Sequence, residues 1–125
     1  MGTARSFCVR LATGFLLLAG PAAARSVEEA KVEKLGEAIA AAEFLLPLCY
    51  VRARESRLAE LRVATGATPE DLAPEGRLGT LLAKAREDLR SRLARSLQTM
   101  GRRVFCEYAW HAYGAYGERF VRRPR

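Results

Sequence analysis

Apolar residues recur along most of this chain with the period of a helix. Leu35, Ile39, Ala42, Leu46 and Cys49 follow one another at spacings of four, three, four and three, and Ala38, Ala41 and Leu45 widen the stripe. Such spacing lines one face of a 3.6-residue helix. Ser26-Val27-Glu28-Glu29 reads as a capping box for its start, with Glu28, Glu29 and Glu33 at the positive end of the helix dipole. Pro47 lacks an amide proton, which predicts a kink or break over 44–48. Helical character then resumes over 50–64, with Leu58 and Leu61 inward and Arg52, Arg54, Glu55, Arg57, Glu60 and Arg62 toward water. Gly66 suits a C-terminal cap.

Residues 65–76 form a linker, in which Thr68-Pro69-Glu70-Asp71 predicts a single helical turn. Beyond it Leu78, Leu82, Ala85, Leu89, Leu93, Leu97, Met100 and Val104 mark a long amphipathic helix that runs to about Ala112, with Gly101 a kink point. Cys106, Trp110, Tyr113, Gly117 and Phe120 continue a seam at spacings of four, three, four and three. No comparable alternation of period two is visible. The fold class is therefore all-α: a small bundle of about three main helices, with the first and the long helix antiparallel.

The amino-terminal tract has a different pattern. Arg5 and Arg10 precede an apolar run over 11–20, Gly20-Pro21 breaks it, and Ala22-Ala23-Ala24 offers small residues to a peptidase. That is the layout of a cleaved export signal over residues 1–24, leaving one helical domain over 25–125. The stretch 11–24 is shorter than the ~20 residues that span a bilayer. The lipoprotein-like Leu18-Ala19-Gly20 is followed by Pro21 rather than Cys, so no lipid can be attached there. A bacterial periplasm fits the Ala/Arg/Leu-rich composition.

Export changes the meaning of the cysteines. Cys8 leaves with the signal, and Cys49 and Cys106 remain. In an oxidising compartment such a pair normally bridges, and closing a loop of about 58 residues stabilises by roughly 4 kcal/mol in the chain-entropy model. Free or intermolecular thiols and a metal site are the other readings. There is no Cys-x-x-Cys, and Cys106 and His111 lie about 140° apart on a helix, so they do not share a face.

Charge is divided unevenly. The full chain carries 21 Lys+Arg against 14 Asp+Glu. Residues 25–76 are net acidic; residues 77–125 are strongly basic, and Lys84 is their one lysine. Arginine forks suit carboxylates and phosphates. An exported chain does not meet nucleic acid, which leaves phospholipid heads, envelope polysaccharides and acidic protein surfaces; alternatively the basic half packs against the acidic half. The C-terminal segment also holds Phe105, Tyr108, Trp110, Tyr113, Tyr116 and Phe120. Phe105, Trp110 and Tyr113 are assigned to a core around the bridge. Tyr116 and Phe120, nearer the chain end, are assigned to the surface, and the two glycines at 114 and 117 weaken the helix there. The candidate binding surface is Arg102, Arg103, Tyr116, Arg119, Phe120, Arg122 and Arg123.

The lone His111 is a surface residue, and no nucleophile–base set, phosphate loop or paired inward carboxylates can be picked out. The reading is of a non-catalytic periplasmic protein, with no cofactor and no metal, that binds a protein partner or supports an envelope assembly. The alternatives are a binder of anionic membrane or envelope polymer through the C-terminal segment, or a stress-related periplasmic chaperone.

The block Leu35-Gly36 followed by Phe44-Leu45-Leu46-Pro47-Leu48-Cys49, with a second cysteine after an aromatic at Phe105-Cys106, resembles a family of small exported alphaproteobacterial proteins of unknown function. The likeness covers 35–106 in layout and the first block in residue detail. It implies a signal peptide and two well-separated bridged cysteines, and no activity.

Overall fold

The computed structural model describes residues 26–124. The expected export signal, residues 1–24, lies outside them. Five helices and one short strand pair make up the described chain: α1 (Val27–Cys49), β1 (Arg52–Ala53), α2 (Glu55–Thr65), α3 (Pro69–Leu72), α4 (Gly79–Met100), α5 (Arg102–Tyr113) and β2 (Val121–Arg122). The protein is all-α in class, with one disulfide, Cys49–Cys106.

Helix α1 is the central element. Ser26 caps it as expected: its Oγ accepts from the Glu29 amide at 3.0 Å and donates to the Glu29 carboxylate at 3.1 Å. Val32, Leu35, Gly36, Ala38, Ala40, Ala41, Ala42 and Leu45 are buried, a wider face than a surface helix shows, because helices pack around it on several sides. Pro47 does not break it. The helix runs on to Cys49, and its end is set by Tyr50, which turns left-handed at φ 57°. A proline in the last turn removes one amide from the ladder, and the carbonyl it frees belongs to exposed Glu43.

Helix α4 lies parallel to α1, not antiparallel as the sequence reading has it. Arg77, just before α4, meets Glu28 at the start of α1; Glu43, further along α1, meets Arg86 and Arg90. Between them the helices approach closely at Gly36, where a Cβ would lie 2.8 Å from the Ala85 Cβ. Helix α2, the turn α3 (with the Thr68–Asp71 capping box) and the linker carry the chain back to the level of Glu28 and make this direction possible.

The long helix is divided. Gly101 adopts φ 79°, a region that glycine enters without steric cost, and the chain reverses there. Helix α5 therefore runs antiparallel to α1: Cys106 near its start is bonded to Cys49, and Glu118 beyond its end pairs with Lys34. The break also resets the helical phase, so that Phe105 and Ala109 enter the core, while Cys106, Trp110 and Tyr113 are half-buried and Val104 is exposed.

Two further expectations are overturned. Residues 51–54 are extended rather than helical, and Arg52 and Ala53 pair antiparallel with Arg122 and Val121. Phe120 is fully buried, stacked on Tyr113 with ring centroids 6.0 Å apart, and so is not part of any surface. Closeness to the chain end did not expose it, because the segment after α5 folds back: Glu118 bonds Lys34 at 3.0 Å, and the Glu118 carbonyl accepts from Arg57 Nε at 3.2 Å. Arg119, at φ 61°, then aims the arm into the ladder. Among the described residues, the two non-glycine positions at positive φ thus stand at the entrances of the two strands.

Candidate functional site

The arm built from residues 119–124 closes one wall of a cleft beside the disulfide. Tyr50 and Val51 enter from the end of α1, Cys106, Trp110 and His111 from α5, and Val121, Arg123 and Pro124 from the arm; the cavity measures about 490 Å³. This falls in the range of small-ligand and side-chain pockets. Its floor is apolar, from Leu45, Ala109 and Val121, and all three are buried. Its rim is polar. The Arg123 guanidinium lies 4.5 Å from the centroid of the Trp110 ring, a cation–π contact that holds the arm against α5. Glu107 and His111, both exposed, line the cleft from α5, the helix that also carries Trp110. Tyr50 is 84% exposed although it borders the cleft, so an aromatic ring is presented to solvent at its mouth.

Three contacts make this wall rigid. The disulfide ties the end of α1 to α5. Arg102 Nε donates to the Leu48 carbonyl at 3.0 Å, satisfying one of the carbonyls that a helix leaves open at its end. The ladder joins arm to β1, extended by the Arg54 amide donating to the Phe120 carbonyl at 2.9 Å.

The residues expected to form one binding surface are distributed. Arg122 and Arg123 lie together on the arm. Arg102 serves the junction of α1 and α5, and Arg103, at the same helix start, reaches Glu107 at 3.9 Å. Tyr116 is exposed in the turn after α5, and Arg119 is exposed beside it; Phe120 is core. The sequence reading missed Tyr50, Arg52 and Arg54 as site residues. The signal was the alternation in Tyr50-Val51-Arg52-Ala53-Arg54, which is period two but only five residues long.

Two groups of arginines differ in their partners, while Arg62, Arg92, Arg95 and Arg102 elsewhere also have no carboxylate partner among the described residues. Arg77 bonds Glu28 with both arms of its fork, at 2.9 and 3.0 Å, and holds that carboxyl below the usual carboxylate range. Arg86 and Arg90 meet Glu43, and Arg57 meets Glu60. The Arg77, Arg86 and Arg90 pairs tie the basic half of the chain to the acidic half, and Arg57–Glu60 lies within the acidic half. Arg52, Arg54, Arg119, Arg122 and Arg123 have no carboxylate partner among the described residues. Tyr113, under the arm, is held protonated beyond the usual phenol range, chiefly because burial disfavours the phenolate.

Among the described residues no helix is long and apolar enough to cross a membrane. Comparison with protein-family models, curated proteins and solved structures finds no match to this chain.

Proposed function

We propose that this chain is an exported, disulfide-locked helical binding protein of the bacterial periplasm, and that it holds a polypeptide partner at the cleft between α5 and the C-terminal arm. One observation carries the reading: a concave cavity of about 490 Å³ with an apolar floor and a Trp110–Arg123 rim, braced on one side by the Cys49–Cys106 bridge. Rigid aromatic and guanidinium groups around an apolar pocket are the groups that dominate protein interfaces. A concave, braced cleft suits an inserted side chain better than a flat bilayer surface. Export is supported by the bridge, since disulfides persist in oxidising compartments, and by the apolar tract ahead of Arg25. The reading contains no catalytic step.

The test is photocrosslinking in cells. Benzoylphenylalanine replaces His111, on the cleft rim, or Val63, exposed on α2 away from it. The expected result is a discrete crosslinked partner from position 111, absent from position 63 and lost in W110A. Equal labelling at both positions, or none at 111, overturns the cleft as an interface. Amino-terminal sequencing of the native protein checks export: a start at Arg25 supports it, and a start at Met1 in the cytosolic fraction overturns it.

A further inference from the structure

The two faces of the β1–β2 ladder have opposite characters. Val51, Val121 and Arg123 look into the cleft. Side chains alternate along a strand, so Arg52 and Arg122 leave the other face. They are direct partners in the antiparallel register. Directly opposed residues have Cβ atoms about 5 Å apart, and like charges at that position are destabilising. Neither arginine is neutralised: Arg122 Nη1 reaches the Arg123 carbonyl at 3.4 Å, and Arg52 has no side-chain partner among the described residues. Arg54 follows in extended backbone, at φ −87° and ψ 93°, and so adds a third guanidinium on the same side. Its Nε is buried and has no hydrogen-bond partner.

No carboxylate among the described residues pairs with these charges. Glu118 is engaged by Lys34, and Glu60 by Arg57. Glu55, next in sequence to Arg54, forms no ion pair and is exposed. Arg77, Arg86 and Arg90 on the α1–α4 side are matched by acids, whereas Arg92 and Arg95 of α4 have no carboxylate partner among the described residues but are not placed opposite another arginine in a ladder. The cross-strand arginine pair, with Arg54 on the same side, concentrates positive charge that no carboxylate among the described residues answers.

We propose that Arg52, Arg54 and Arg122 form a binding site for a phosphate group. The choice of phosphate follows from geometry. A carboxylate offers one edge to one fork, whereas a tetrahedral phosphate presents oxygens in several directions and accepts from two or three guanidinium groups at once. The site does not depend on the cleft, because it occupies the reverse face of the ladder. The phosphate comes either from a lipid headgroup or from a soluble phosphate, and the test separates these.

Binding of inorganic phosphate is measured by calorimetry on the wild type, on R52Q/R122Q and on R92Q/R95Q. The last pair removes the same charge from arginines that lie on α4. Sedimentation with vesicles of phosphatidylglycerol and phosphatidylcholine, against phosphatidylcholine alone, forms the second arm. Circular dichroism and thermal melting confirm that each variant is folded. The expected result is saturable phosphate binding, weakened about tenfold or more in R52Q/R122Q and unchanged in R92Q/R95Q, since hydrogen bonds to charged groups are worth that much. Cosedimentation with phosphatidylglycerol vesicles that is lost in R52Q/R122Q identifies the headgroup as the source; phosphate binding without cosedimentation identifies a soluble phosphate. Equal weakening in both variants, or no binding of either probe by the wild type, overturns the proposal. Neither outcome bears on the crosslinking at position 111, so the cleft and the phosphate site stand or fall separately.

Discussion

The α1–α4 seam and the β1–β2 ladder are both places where separate parts of the chain meet, and they treat arginine in opposite ways. At the seam, Arg77, Arg86 and Arg90 each find a carboxylate on α1, and a glycine lets the helices close up. At the ladder, arginine is placed opposite arginine, and no acid is supplied. The seam's charges fix which helix faces which. The ladder's charges do not help the fold, so the arm must be held there by something else. What holds it is Phe120 in the core, the Glu118 contacts at its base and the Arg123–Trp110 contact near its far end. The difference separates charge spent on folding from charge left for a ligand.

If the arm is held by burial, emptying its anchor has the largest effect. Phe120 is fully buried between elements of the core and stacks on Tyr113. F120A should cost about 3–5 kcal/mol in denaturant unfolding, as large-to-small aromatic core changes do. Y116A, four residues earlier but 89% exposed, should fall within the noise. Similar losses for the two would mean that the arm is not anchored in this way.

The bridge comes next. Cys49 and Cys106 are 57 residues apart in sequence, and joining them restricts the unfolded chain. C49S/C106S should lose roughly 2–4 kcal/mol, measured as a lower urea midpoint. The loss should be joined by faster hydrogen exchange over 50–54 and 119–124, with the α1–α4 seam little changed. Uniform exchange across the chain would show that the two regions are a single cooperative unit.

Much of this contrast was open to a reader of the sequence, and the rest was hidden for identifiable reasons. Helices α1 and α4 announce themselves because leucine and alanine recur over more than twenty residues, long enough for the period to be unambiguous. The bridge was legible as the two cysteines of residues 25–125, once the sequence was read as carrying an export signal. The break at Gly101 was visible as a position, but its direction was not: a kink and a reversal have the same glycine, and only the packing of α5 against α1 decides between them. The ladder was missed because each strand has two residues, the alternation around β1 is only five residues long, and the paired residues are 70 and 68 positions apart. Phe120 was misplaced because its burial depends on Lys34 meeting Glu118, a contact 84 residues apart that no local pattern records. The site suffered most, since Arg52 and Arg54 became site residues only when the arm returned to lie beside them.

The seam makes a smaller prediction. At Gly36 an added Cβ would meet the Ala85 Cβ at 2.8 Å and the Leu82 carbonyl oxygen at 3.0 Å, closer than van der Waals contact. Neither neighbour is a flexible side-chain tip, so the helices must separate. G36A should cost about 1–3 kcal/mol despite the better helix propensity of alanine. The reciprocal change A85G should recover part of that loss in the double variant, because it removes the atom in the way. No recovery would mean that the close approach at this point is not what limits the seam.

The smallest effects bear on the contrast most directly, because they differ in sign. Glu43 serves Arg86 at 2.8 Å and Arg90 at 3.5 Å, in a half-exposed position. E43Q should therefore destabilise, by about 0.2–1 kcal/mol, the range of surface ion pairs. Arg52 faces Arg122 and is exposed, so that removing its charge loses little packing. R52Q should stabilise, by roughly 0.2–1 kcal/mol, through relief of the like-charge pair. Both shifts are electrostatic between accessible groups, so both should shrink toward zero as salt is raised and the Debye length falls to about 3 Å near 1 M. Urea unfolding at low and high salt reads the two signs and their common decay. Phosphate should reverse the second sign alone: with the anion bound, Arg52 contributes to a favourable contact, and R52Q becomes the less stable protein. An R52Q variant that is destabilised without phosphate would show that the ladder arginines, like those of the seam, belong to the fold.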